Sequence, residues 1–199
     1  MMGQYHTSAN AQNLSSSFLD EPARQVPVSG SFDVVVAGGG PAGVCAALAA
    51  ARRGVSVLLL EAEGCLGGIM TSGLMSNIID AGNKGGILKE ILNGLQEMGM
   101  TASNDCVDPE AVKYLFEKKL LDAGVRIRLH SRVVSAVVSD DHRLGAVITE
   151  SSSGREAWQG KVFIDATGNG DLGALAGCRH EIGDAQGRLQ AMSLCALVY

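Results

Sequence analysis

Residues 33–68 read DVVVAGGGPAGVCAALAAARRGVSVLLLEAEGCLGG, and this stretch decides the fold. Val34 to Ala37 form a short, continuously apolar run after Asp33, the pattern of a parallel strand buried on both faces. The turn Gly38-Gly39-Gly40-Pro41-Ala42-Gly43 is a GxGxxG between that strand and a predicted helix, Pro41 to Arg53. The helix is built of small side chains, mostly Ala, Val and Leu, so it can lie close against a sheet. Gly54 stops it in the usual place for a left-handed residue. Val55 to Leu60 read as a second buried strand, which Glu61 closes.

The physical reasons for this spacing point to a dinucleotide. Gly38 permits a tight turn, Gly40 lets backbone approach a pyrophosphate, and Gly43 lets the helix pack close to the strand. Ala47 keeps that contact small. The pyrophosphate would sit at the helix N-terminus, where free N–H groups and the helix dipole favour an anion. Glu61 follows Gly38 by 23 positions and can accept hydrogen bonds from the ribose hydroxyls of an adenosine. A carboxylate there would repel a 2′-phosphate, which argues against NADP. The βαβ unit alone serves NAD or FAD equally.

Downstream, two amphipathic helices are expected. Ile87 to Met98 carries an apolar face of Ile87, Ile91, Leu92, Leu95 and Met98. The second starts at Asp108 as N-cap with Pro109 at its first position, and Gly124 stops it. The period then changes to two. Val125–Leu129, Val133–Val138, Leu144–Thr149 and Glu156–Trp158 alternate, which predicts an antiparallel meander with turns at 139–142 and 151–154. Lys161 to Asp165 reads as a separate buried strand, followed by the turn Ala166-Thr167-Gly168-Asn169-Gly170-Asp171.

Composition narrows the class. The chain has 199 residues and a net charge of −5, without the clustered basic face that nucleic acid calls for. Glycine is the outlier, at 26 residues against a usual ~7% of a chain, in clusters that suit tight turns and close ligand approach. The five cysteines form no CxxC, so neither a disulfide framework nor a metal or iron–sulfur site is expected. Their odd number and a polar N-terminus without an apolar signal segment predict a cytoplasmic protein, and no stretch is long enough to predict a membrane span.

Residues 33–68 resemble the opening of FAD-dependent oxidoreductases of the glutathione-reductase superfamily, in which a glycine pair, here Gly67-Gly68, follows the ribose-binding acid. The stretch Ile164-Asp165-Ala166-Thr167-Gly168 is similar to that superfamily's apolar strand ending in ATG. The fuller IDATGNGDLGALAG, with the Asp108-Pro109-Glu110 helix start, resembles the heterodisulfide-reductase flavin-subunit-like subgroup. The resemblance implies an α/β fold: a Rossmann-like FAD-binding domain with a parallel sheet and an inserted antiparallel β-meander. It also implies roles by position. Gly38, Gly40 and Gly43 would face the pyrophosphate, with Pro41 and Ala42 on the same turn; Glu61 would hold the ribose. Gly67 and Gly68 would run beside the pyrophosphate and the flavin's linker. Val133 would meet the adenine through its backbone, and Gly168 would lie near the dinucleotide with Asp171 close by. Thr71, Ser72 and Gly73 would point towards the isoalloxazine.

The resulting organisation is a polar leader (1–30), an FAD-binding domain (31–188) and, from 189 to 199, a segment that reads like the first strand of a middle domain carrying the substrate pocket. An iron–sulfur partner enters by family analogy alone. Two alternatives stay open: a non-catalytic or incomplete dinucleotide-binding fragment, and binding of an NAD-derived dinucleotide as in thiazole-synthesis-like proteins. No nucleophile–base pair stands out. Cys65, His130 and His180 read as packing or surface residues, Trp158 as a packing residue of the meander, and Asp80, Asp105 and Asp108 as turn and cap residues.

Overall fold

The computed structural model describes residues 21–100, 106–193 and 195–196. The leader's first 20 residues and Asp105 lie outside the described residues, as does part of the 189–199 segment. Within that segment, residues 189–193, 195 and 196 adopt no regular secondary structure.

A mixed α/β fold is built around one six-stranded sheet. Its strands are β1 (Val28–Ala37), β2 (Val57–Leu60), β3 (Arg126–Arg128), β4 (Arg132–Val138), β5 (Leu144–Ser151) and β6 (Gly154–Asp165), in the order β3-β2-β1-β6-β5-β4. The helices are α1 (Pro41–Ala51), α2 (Gly86–Glu97), α3 (Pro109–Asp122) and the short α4 (Asp171–Leu175). The pairs β1–β2, β1–β6 and β2–β3 are parallel, whereas β4–β5 and β5–β6 are antiparallel.

Strand alternation sorts the core into two layers. Val36, Val57 and Leu59 face the helices and pack with Val44, Ala47 and Leu48 of α1 and with Val112, Phe116 and Leu120 of α3. Their neighbours Val35, Ala37, Leu58 and Leu60 face the other way, against Val147, Trp158 and Leu172. The antiparallel wing and α4 thus cover one face of the parallel strands while α1 and α3 cover the other. Trp158 is 1% exposed and its indole N–H donates to Thr149 Oγ1 at 2.9 Å, so it is a satisfied core residue. Asp108 caps α3 by accepting from the N–H groups of Glu110 (2.7 Å) and Ala111 (3.2 Å).

Three expectations from strand patterning are corrected. Val125–Leu129 does not join the meander. Its central residues form β3, parallel to β2, with Leu59 in register with Ile127. It follows α3, so it completes a second parallel crossover, and the edge of a parallel sheet is where that connection returns. Second, Glu156–Trp158 and Lys161–Asp165 are one continuous strand. The N-terminal half of β6 pairs with both β5 and β1, and its C-terminal half runs on along β1 to Asp165. Third, β1 begins at Val28, ahead of the apolar run read at residues 33–37, because the backbone of Val28 and Gly30 pairs with Ala157 and Trp158. Backbone pairing across the sheet leaves no signature in local side-chain period.

No helix among the described residues is long and apolar enough to cross a membrane.

Candidate dinucleotide site

Strands β1, β2 and β6 end side by side, with Ala37 in register with both Leu60 and Asp165. The turns that leave these ends surround a cleft of about 630 Å³. Cofactor sites fall in a range of ~300–1,000 Å³, and open α/β sheets place them outside the carboxyl ends of the strands.

The glycine turn after β1 is shaped by contacts that leave no room for side chains. Gly38 has φ +102°, and a Cβ there would lie 2.2 Å from the carbonyl oxygen of Ala166 on the β6 turn. A Cβ on Gly43 would lie 1.9 Å from the carbonyl oxygen of Gly38, so Gly43 is the point where α1 touches the turn. Gly40 is different: a Cβ there would meet nothing within 4 Å. Gly38, Gly40, Pro41 and Ala42 line the cleft, and Gly43 does not. The first N–H groups of α1, on Ala42 and Gly43, have no carbonyl within the helix to receive them.

Glu61 is 8% exposed and lines the cleft. Its Oε2 accepts from the Gly39 N–H at 2.5 Å and its Oε1 from the Glu63 N–H at 2.7 Å. The carboxylate therefore braces the glycine turn itself, and its remaining lone pairs are free for ribose hydroxyls. Around it the chain is zipped to the loop after β3: Glu61 N–H donates to Arg128 O, Ser131 N–H to Glu61 O, and His130 N–H to Glu63 O. This brings Ser131, Arg132 and Val133 to the cleft.

The glycine pair has two roles. Gly67, at φ +108°, donates its N–H to Gly39 O, and a Cβ there would collide with Thr71. Gly68 lines the cleft, and its Cβ would come 3.1 Å from Gly40 Cα. Thr71 is 1% exposed and its hydroxyl donates to Leu66 O at 2.7 Å, so it faces inward and supports this turn. Ser72 and Gly73 line the cleft. Cys65 lies beside this turn, with its Sγ 3.4 Å from Ser72 Oγ.

On the β6 side, Ala166, Thr167, Gly168, Asn169 and Asp171 line the cleft. Burial pushes the Asp165 carboxyl up, but the Gly173 and Thr167 N–H groups and the Thr167 hydroxyl outweigh it and hold it below the usual carboxylate range. Sequence reasoning missed Glu63, Ser131, Arg132 and Asn169 as lining residues. Arg132 and Ser131 adjoin Val133 and were findable from it, whereas Glu63 carries no motif. Arg132 is the one cation among the described lining residues, beside the anionic Glu61, Glu63 and Asp171. His180 is exposed and is not one of these lining residues. Among the described residues no three His, Cys, Asp or Glu side chains gather as a metal site.

Residues 33–198 match the family described as FAD dependent oxidoreductase. The chain belongs to this family of FAD-dependent oxidoreductases. It is 30% identical over 182 residues to the tRNA uridine 5-carboxymethylaminomethyl modification enzyme MnmG of Geotalea uraniireducens, a match covering 82% of this chain and 28% of that protein. It is 31% identical over 163 residues to digeranylgeranylglycerophospholipid reductase 1 of Methanopyrus kandleri, covering 73% of this chain and 42% of that one. The chain thus spans less than half the length of these relatives. Among solved structures, THI4 of Thermovibrio ammonificans shares the fold at TM-score 0.56 and 19% identity, over 75% of this chain and 64% of that one. The flavin-dependent brominase Bmp2 shares it at TM-score 0.58 and 18% identity, over 74% and 40%.

FAD is the cofactor of this family, and the residues present fit its ADP half. The open space over Gly40 is where a pyrophosphate needs room, at the start of α1.

Proposed function

We propose that these residues form the FAD-binding portion of a redox flavoenzyme, with the ADP half of FAD held in the cleft at the ends of β1, β2 and β6. Gly38, Gly40, Pro41 and Ala42 approach the pyrophosphate, and Gly43 lets α1 reach it. Glu61 takes the adenosine ribose while bracing Gly39, and Val133 meets the adenine through its backbone. Gly67 holds the turn behind Gly68, which runs beside the pyrophosphate and flavin linker. Gly168 and Asp171 close the opposite wall. Bound there, FAD supplies hydride and electron exchange through its isoalloxazine, and the protein's part is to bind and orient it.

The observation that carries this reading is the contrast among the three glycines of the motif. Gly38 and Gly43 are filled against backbone, and only Gly40 opens on free space at the N-terminus of an 11-residue helix. A turn needed for shape alone has no use for the third. The motifs at 61–68 and 164–177 favour the glutathione-reductase superfamily and its heterodisulfide-reductase flavin-subunit-like subgroup. With them go an FAD-binding domain over 31–188 and the start of a middle domain at 189. Five unpaired cysteines support a reducing cytoplasm as its location.

Competition binding tests the assignment. Apoprotein should quench FAD fluorescence on binding, ADP should displace the flavin, and FMN should not. Displacement by FMN with no effect of ADP overturns it.

A further inference from the structure

We propose that Asp165 is a positioning residue for FAD, holding the turn that carries Gly168 and Asn169 against the cleft; the inference rests on the assignment of that cleft to FAD. Asp165 is the last residue of β6. Its Oδ1 accepts from the N–H of Thr167 at 3.1 Å and from the Thr167 hydroxyl at 2.7 Å. Its Oδ2 accepts from the N–H of Gly173, inside α4, at 2.8 Å. The Thr167 hydroxyl in turn accepts from the N–H of Asp171 at 2.8 Å. One carboxylate and one hydroxyl therefore tie the end of β6 to the first turn of α4.

The segment they enclose has little else to hold it. Gly168 and Gly170 sit at φ +86° and +75°, and a Cβ on either would meet nothing within 4 Å. Glycines in open space sample many conformations, so the bonds to Asp165 and Thr167 select the one that lines the cleft. Ala166 carries this selection to the phosphate side. Its N–H donates to Ala37 O at 2.8 Å, its carbonyl oxygen is the atom a Cβ on Gly38 would strike, and its methyl would lie 3.3 Å from a Cβ on Gly43. The β6 turn thus abuts the glycine turn directly. Asp165 is itself exposed, and β6 is held along its length by β1 and β5. Loss of the network therefore loosens the turn without dissolving the sheet.

The test uses apoprotein of the full chain carrying Asp165→Ala, Asp165→Asn, Thr167→Val or Thr167→Ser. FAD affinity is read from flavin fluorescence quenching, and Tm is read with and without FAD. Asp165→Ala and Thr167→Val should weaken FAD at least tenfold and shrink the FAD-induced rise in Tm. Thr167→Ser keeps the hydroxyl and should bind within twofold of wild type. Asp165→Asn keeps the Thr167 acceptor but sets an amide against the Gly173 N–H, so it should fall between. If Asp165→Ala does not fold, the Thr167 pair decides. Affinities all within twofold of wild type overturn the proposal. So does a Thr167→Ser protein as weak as Thr167→Val, or a lower apoprotein Tm with an unchanged FAD-induced rise. Wild-type protein that fails to bind FAD overturns the cleft assignment itself, which keeps the two failures apart.

Discussion

Replacing Glu61 by Ala should damage the apoprotein before any cofactor is added. The carboxylate accepts two backbone N–H groups, from Gly39 at 2.5 Å and Glu63 at 2.7 Å, at 8% exposure. Hydrogen bonds to charged groups contribute about 1.5–3 kcal/mol each. Glu61 and Glu63 border the cleft, where water can replace part of what is lost, so the lower end is taken for each bond. The expected loss is about 3 kcal/mol, which lowers Tm by roughly 6–12 °C for a domain of this size. A second effect falls on binding. Without an acceptor for the ribose hydroxyls, FAD affinity should drop by roughly tenfold to a hundredfold. Glu61→Gln keeps one carbonyl acceptor and should be intermediate in both measurements. Thermal unfolding followed by circular dichroism on apoprotein gives the first effect, and isothermal titration with FAD below the lowered Tm gives the second. A Tm within about 2 °C of wild type would refute the bracing of the glycine turn. A lowered Tm with an unchanged dissociation constant would refute the ribose contact alone.

Two of the motif glycines, Gly40 and Gly43, make an opposed pair. Gly40→Val should abolish FAD binding while leaving the circular dichroism spectrum and apoprotein Tm close to wild type, because its side chain enters free space rather than protein; retained binding would move the pyrophosphate elsewhere. Gly43→Ala should instead destabilise the apoprotein by about 1–3 kcal/mol or more, since its methyl would start 1.9 Å from Gly38 O and force α1 off the turn. An apoprotein Tm unchanged by Gly43→Ala would contradict that contact.

The βαβ core was legible in the sequence because its signals are local. A continuous apolar run, a glycine turn, a helix of small residues and an acid at a set distance are each written in neighbouring positions. Asp108 as N-cap and Trp158 as a packing residue belong to the same class, since a cap needs only the next turn and a large ring needs only a covered face. The sequence by itself also pointed to the N-terminus of the helix after the first strand as the place where a pyrophosphate would sit. What it could not express is pairing between distant backbones. Whether Ile127 borders Leu59 or a meander strand depends on which edge is free, and both choices show the same period of two. The same holds for β6, whose two halves differ in partner but not in pattern. Side-chain direction at the turns was equally hidden. Thr71 faces inward to Leu66, and Arg132 reaches the cleft because residues 61–63 are zipped to the loop after β3. Tertiary packing decided these, because each depends on contacts between segments whose separation along the chain carries no information about their distance in space.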